Sequence, residues 1–192
     1  MRRGIRKALP LAAGVLLLAC GLTLAQGKEQ APDRAPESAP EKIPSLGPGA
    51  GAPAFRLPDL LGTKFSFGEE GGKKPLLLVF FSVFCDPCRA NLPVLQKIQN
   101  KYGGDVDVAA VSLDGEPLKA MVAGFAKQEG YTFRVLLDEG DEKRMFKVAD
   151  AYRVTEMPTL FLVDRGGKVT FAGMGRVAEE PLEKAVQAVL KK

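Results

Sequence analysis

The stretch LLLVFFSVFCDPCRANLPVLQK, residues 76–97, changes its pattern of apolar residues at a pair of cysteines. Residues 75–84 form a continuous apolar run with aromatic and β-branched side chains, which is typical of a strand buried on both faces. After Cys85 the apolar residues recur at helical spacing, and Pro87 is tolerated in the first turn of a helix. The sequence therefore predicts a buried strand over residues 75–84, followed by a helix that begins near Cys85 and carries Cys88.

Strands and helices alternate along the rest of the chain. The further predicted elements are a short hairpin at 57–67, a strand at 105–114, a helix at 116–130, a strand at 133–138, a helix at 141–152, a hairpin at 159–173 that turns at Gly166–Gly167, and an amphipathic helix at 179–192. This order predicts an α/β layer fold with an antiparallel C-terminal hairpin.

Residues 1–25 have the composition of an export signal. Four basic residues precede an uncharged apolar stretch over residues 9–25, which suits a secretory signal better than a permanent membrane span. The segment LLAC, residues 17–20, resembles a bacterial lipobox, in which Cys20 becomes the lipidated first residue of the mature protein. The alternative is ordinary signal cleavage at TLAQ, residues 23–26. We expect an exported protein with Cys20 as its lipid anchor.

Residues 26–50 are rich in proline, which recurs every four residues from position 32 to position 48. Such a segment has too few apolar residues to repay the cost of ordering, so we expect a disordered tether. The composition becomes globular after it, and the sequence predicts one domain over residues 51–192.

The net positive charge belongs to the export signal. The chain has 27 Lys and Arg against 23 Asp and Glu, and residues 1–25 hold four of the basic residues and none of the acidic ones. The remainder is balanced, which argues against a nucleic-acid-binding surface.

Several kinds of site compete for Cys85 and Cys88. Covalent haem attachment needs histidine directly after the second cysteine, where this chain has Arg89. Structural zinc needs four ligands, and the domain offers two thiols and no histidine. A copper carrier, with Met157 assisting, remains an alternative. A purely structural disulfide would close too small a loop to stabilise the domain much. Redox exchange fits better, because a helix N-terminus favours the thiolate of Cys85.

Two segments resemble the thioredoxin family. FCDPCRANLPVLQKI resembles the thioredoxin active-site helix, and VTEMPTLFLVDRGGKV resembles the segment that holds a cis-proline opposite it, which places that proline at Pro158. The lead-in GAPAFRLPDLLGTKFSF and the extra strand and helix within residues 115–138 resemble the TlpA/ResA branch. The resemblance covers about residues 50–190 and implies a thioredoxin-like fold: a central mixed sheet flanked by helices, with an N-terminal hairpin and a strand-helix insertion.

The resemblance also implies a function. Proteins of this branch are membrane-tethered, extracytoplasmic thiol-disulfide oxidoreductases. Cys85 would attack a substrate disulfide, Cys88 would resolve the mixed disulfide, and Met157 before Pro158 would pair with the substrate. No cofactor beyond the cysteine pair is expected. The expected partners are disulfide-containing exported proteins, such as apocytochrome c or copper-site proteins, and a membrane thiol reductant, and the chain is expected to be a monomer.

The chain departs from the family pattern near the pair. Phe84 replaces the usual tryptophan, Val79 replaces a buried acid of thioredoxins, and Asn91 stands where many TlpA/ResA-like proteins have a carboxylate. Our hypothesis is therefore that Asp86 or Glu156 assists proton transfer.

Two further functions remain open from the sequence. Ser82, three residues before Cys85, matches part of a peroxiredoxin pattern and suggests a thiol peroxidase, although Leu78 occupies the place of its proline. A client-binding module with a non-catalytic cystine is the other.

Overall fold

The structure is a computed structural model that describes residues 46–68, 74–140 and 145–191. The export signal with Cys20, and residues 26–45 of the expected tether, lie outside the described residues. The elements are β1 (Phe55–Pro58), β2 (Lys64–Phe67), β3 (Leu76–Phe81), α1 (Asp86–Tyr102), β4 (Asp107–Ser112), a 3-10 turn (Glu116–Leu118), α2 (Lys119–Gln128), β5 (Arg134–Leu137), α3 (Val148–Ala151), β6 (Thr159–Val163), β7 (Val169–Met174) and α4 (Glu179–Leu190).

The predicted mixed sheet is confirmed, with β3 at its centre. The strand order is β5-β4-β3-β6-β7. Strands β3, β4 and β5 are parallel, whereas β6 is antiparallel to β3 and β7 is antiparallel to β6. All six residues of β3 are buried, because the strand has neighbours on both edges and packing on both faces.

Alternate residues of β3 face two apolar clusters on opposite sides of the sheet. One cluster joins Leu77, Val79 and Phe81 to the inner face of α1. The other joins Leu76, Leu78 and Phe80 to the aromatic rings of Tyr152 and Phe161 and to the N-terminal hairpin. The predicted layer fold with flanking helices is therefore confirmed, and its two cores meet at β3.

The N-terminal hairpin is confirmed, and the folded chain begins before it. Strands β1 and β2 pair antiparallel. Upstream of them, Leu46 is buried, the Gly49 N–H donates to the Val169 carbonyl at 2.8 Å, and the Val169 N–H donates to the Ala50 carbonyl at 2.9 Å. Residues 46–50 therefore pack against the start of β7, so the expectation of a disordered segment is wrong for these five residues.

The predicted helix at 141–152 is wrong over residues 145–147, which are not helical, and residues 141–144 lie outside the described part. Helix α3 begins at Val148 because the buried carboxylate of Asp138 accepts the N–H groups of Lys147, Val148 and Ala149 at 2.8–3.1 Å. Burial raises the pKa of Asp138 above its ordinary value, although these three hydrogen bonds act in the opposite direction and lower it. The start of this helix is thus set by a side chain distant in sequence, which no helical periodicity reveals.

Candidate active site

Cys85 and Cys88 lie where β3 gives way to α1 and are joined by a disulfide, with their Cα atoms 5.2 Å apart. Cys85 is the N-cap of α1, and its Sγ accepts the Cys88 N–H at 3.2 Å. Cys85 is half-buried, whereas Cys88 is fully buried on the inner face of the helix. The two sulfurs are therefore unequal, since only the first is open to another molecule.

The Asp114 carboxylate holds the backbone that leads to Cys85. It accepts the Ser82 hydroxyl at 2.6 Å and the Val83 N–H at 3.0 Å, and Ser82 Oγ in turn accepts the Phe84 N–H at 3.2 Å. The Ser112 hydroxyl also donates to Asp114, at 2.7 Å. Asp114 follows the end of β4, so the neighbouring parallel strand fixes the loop that presents the cysteine pair.

Pro158 lies opposite the disulfide and follows a cis peptide bond. The Met157 carbonyl oxygen is 3.7 Å from Cys85 Sγ, and the Met157 side chain is partly exposed. The loop is held by the Thr159 hydroxyl, which donates to the Glu156 carbonyl at 2.6 Å, and by the Gly175 N–H, which donates to the Pro158 carbonyl at 2.8 Å. The cis-proline expected at Pro158 is therefore present, and the residue before it lies beside Cys85.

The remaining predicted site residues lie around Cys85 at the surface. Phe84 is 65% exposed and Pro87 is exposed, so together they form an apolar rim. The Asp86 side chain is 94% exposed and lies 4.0 Å from Arg89, whose guanidinium lies over the Phe125 ring at 5.7 Å. The Asp86 carboxylate is therefore well solvated.

Beneath the pair, Val79 is fully buried and Asn91 is 1% exposed. The Asn91 Nδ2 donates to the Gly175 carbonyl at 3.5 Å. Its Oδ1 is buried and, among residues 46–68, 74–140 and 145–191, has no hydrogen-bond partner.

Sequence reasoning missed Asp114. The available signal was a Ser-x-Asp triplet, Ser112 to Asp114, at the carboxyl end of a predicted strand next to the one that carries the cysteines. Polar residues at that edge of parallel strands are candidates for a shared site.

No cluster of three or more His, Cys, Asp or Glu suited to a metal ion occurs in the described residues. The helices within the same ranges are all too short or too polar to cross a membrane.

The chain is similar to several known proteins. The Redoxin family model matches residues 48–190. The thiol-disulfide oxidoreductase ResA of Geobacillus kaustophilus is 32% identical over 142 residues, which cover 73% of this chain and 77% of the relative. Among solved structures, a Chlorobium tepidum protein assigned as a thiol:disulfide interchange protein DsbE has a TM-score of 0.64 at 34% identity and covers 76% of this chain and 99% of its own. A thio-disulfide isomerase of Thermus thermophilus has a TM-score of 0.61 at 30% identity, over 74% of this chain and 96% of its own.

The fold, the cysteine pair at a helix N-terminus and these relatives agree with one another. The chain belongs to the Redoxin family and is a TlpA/ResA-like thiol-disulfide oxidoreductase with a thioredoxin fold.

Proposed function

We propose that this protein reduces disulfides in exported proteins, with Cys85 as the nucleophile and Cys88 as the resolving thiol. The observation that carries the proposal is the inequality of the two sulfurs: Cys85 is accessible at the N-terminus of α1, whereas Cys88 is buried behind it. A helix N-terminus stabilises a thiolate, and the thiolate is the species that attacks disulfides.

The reaction begins with the reduced pair. The Cys85 thiolate attacks one substrate sulfur, which forms a mixed disulfide and releases the other substrate sulfur as a thiolate. Cys88 loses its proton and attacks Cys85 Sγ, which releases the second substrate thiolate and leaves the Cys85–Cys88 disulfide. Both substrate thiolates take up protons, so the substrate gains two electrons and the pair loses two. A thiol reductant then restores the dithiol.

The apolar rim and the loop before Pro158 are suited to docking the substrate. Phe84 and Pro87 offer exposed apolar surface on one side of Cys85, and Met157 lies on the other. The Met157 carbonyl, close to Cys85 Sγ, is placed to pair with an extended substrate segment that presents its disulfide there. These residues would select unfolded or flexible clients.

The proposal places the enzyme on the extracytoplasmic side of a membrane, anchored through Cys20 and a tether. Its support is the basic and apolar N-terminal sequence, the lipobox-like LLAC and the proline-rich segment that follows. The clients would be proteins such as apocytochrome c or copper-site proteins, and a membrane thiol reductant would supply electrons.

The structure does not favour a peroxidase, because the Ser82 hydroxyl is engaged by Asp114 and Phe84.

A redox titration tests the proposed activity. The full chain carrying Cys20→Ser, in which only the pair holds thiols, should equilibrate reversibly with glutathione buffers and speed the reduction of insulin by dithiothreitol. A cystine that does not react with mild thiols would contradict the proposal. So would tight stoichiometric binding of cuprous ion together with failure to reduce insulin, which would instead indicate a copper carrier.

We further propose that Asp86 or Glu156 assists proton transfer at the pair, and Asp86→Asn and Glu156→Gln test this. Loss of the Asp86 charge should lower the pKa of Cys85, because a nearby carboxylate opposes thiolate formation. The effect should be small and should vanish at high salt, because the Asp86 side chain is almost wholly exposed. The measurement is the rate of Cys85 alkylation against pH. Identical profiles for both variants and the parent protein would remove both carboxylates from the mechanism.

A further inference from the structure

The Asn91 side chain is buried, and among the described residues its amide nitrogen has a hydrogen-bond partner whereas its amide oxygen has none. Asn91 lies on the inner face of α1, three residues after Cys88, and both residues are within 1% of full burial. Residues three apart on a helix are neighbours on one face, with Cβ atoms about 5–6 Å apart. Asn91 and Cys88 are therefore neighbouring buried side chains on the same face of α1.

The contacts of Asn91 fix which way its amide points. The Gly175 carbonyl can only accept a hydrogen bond, so the amide nitrogen of Asn91 must face it. The Oδ1 atom then faces away from Gly175, and it is the buried side-chain acceptor in the described residues that lacks a donor. A buried acceptor without a donor costs free energy. A state of the protein that supplies a hydrogen to this oxygen is therefore favoured over one that does not.

Reduction of the disulfide supplies one. We propose that, once the pair is reduced, the Cys88 thiol donates its hydrogen to Asn91 Oδ1, so that Asn91 biases the pair toward the dithiol. This inference rests on the proposed redox cycle. In that cycle the pair takes up two electrons from a thiol reductant and two protons, one of which stays on the buried Cys88 sulfur. Cys88 is fully buried, so its new S–H group has no access to solvent.

The two effects of Asn91 have the same sign. In the oxidised form no group of the described residues donates to Oδ1, which disfavours the disulfide. In the reduced form the thiol donates to Oδ1, which favours the dithiol. Asn91 therefore makes the protein more oxidising than it would be with an apolar residue in the same place. It also keeps the Cys88 proton in place until the mixed disulfide forms.

The test is the equilibrium between glutathione and the pair in Asn91→Leu, a change of similar size without the amide, made in the full chain carrying Cys20→Ser. We expect the equilibrium to move toward the disulfide by about three- to tenfold, the worth of one hydrogen bond. Asn100→Leu is the matched control, because Asn100 lies on the same helix but is exposed and bonded to Gln96. Its equilibrium should equal that of the parent protein.

A second measurement covers the case in which leucine disturbs the packing. The unfolding equilibria of the oxidised and reduced forms are measured for Asn91→Ala. The substitution should stabilise the oxidised form relative to the reduced form, and the ratio of the two unfolding constants should change by the same three- to tenfold. An unchanged equilibrium in Asn91→Leu, or an equal change in both forms of Asn91→Ala, overturns the inference. The parent protein would still exchange with glutathione in that case, so the proposed function would stand.

Discussion

Replacement of Cys85 by serine should abolish the reduction of insulin, whereas replacement of Cys88 should stop the reaction one step later. Cys85 is the accessible sulfur at the N-terminus of α1, so without it no mixed disulfide can form. Without Cys88, the mixed disulfide at Cys85 has no internal thiol to release it. The Cys88→Ser variant should therefore accumulate one covalently bound client per molecule.

Mass spectrometry after acid quenching checks this prediction, with the Cys20→Ser chain as the parent. The two single variants are controls for each other, because each retains one sulfur of the pair. If Cys85→Ser captures clients as well as Cys88→Ser does, the buried sulfur reacts directly and the assigned roles are reversed. If the Cys88→Ser variant is exported by the cell, the proteins that it captures would also identify the clients.

Replacement of Asp114 by alanine should have the second largest effect, on both stability and exchange. The Val83 N–H and the Ser82 and Ser112 hydroxyls would lose their acceptor. An unsatisfied group of this kind costs about 1–3 kcal/mol of unfolding free energy. The loop before Cys85 would also be less fixed, so alkylation of reduced Cys85 should show a changed dependence on pH.

Urea unfolding of the oxidised protein and the alkylation profile measure these two effects. Asp107→Ala is the matched control, because it removes an exposed carboxylate at the start of β4, the strand that Asp114 follows. Asp114→Asn should be intermediate, since its amide oxygen still accepts one or more of these hydrogens. Equal unfolding free energies and equal alkylation profiles for the Asp114 and Asp107 variants would show that the hydrogen bonds to Asp114 do not hold the loop before Cys85.

The sequence predicted those parts of the fold that depend on local pattern. The continuous apolar run located β3, although the strand ends at Phe81 and the prediction is wrong over residues 82–84. Cys85 followed by Pro87 marked the start of α1, because strand burial and helix capping are encoded within a few residues. The position of Pro158 beside Cys85 came instead from family resemblance. Nothing local to residues 156–158 indicates what lies opposite them.

The features that the sequence did not reveal depend on contacts between distant residues. Asp138 sets the start of α3 from ten residues away, and Asp114 reaches the loop at Ser82 across 32 residues. That Asn91 Oδ1 finds no donor within the described ranges follows from packing around the helix, whereas the sequence showed only an unusual residue at that position. Such contacts arise only once strands from different parts of the chain are adjacent.

The first residues that the structure describes join the sheet far from the reactive sulfur of Cys85. Residues 49 and 50 bond to Val169, which pairs with Val163, and Val163 in turn pairs with Leu76 at the beginning of β3. Cys85 follows the far end of that strand, about 20 Å along it for six residues. Residues 49 and 50 therefore join the domain at the end of β3 opposite Cys85, which leaves the reactive sulfur clear of this segment and open to a substrate.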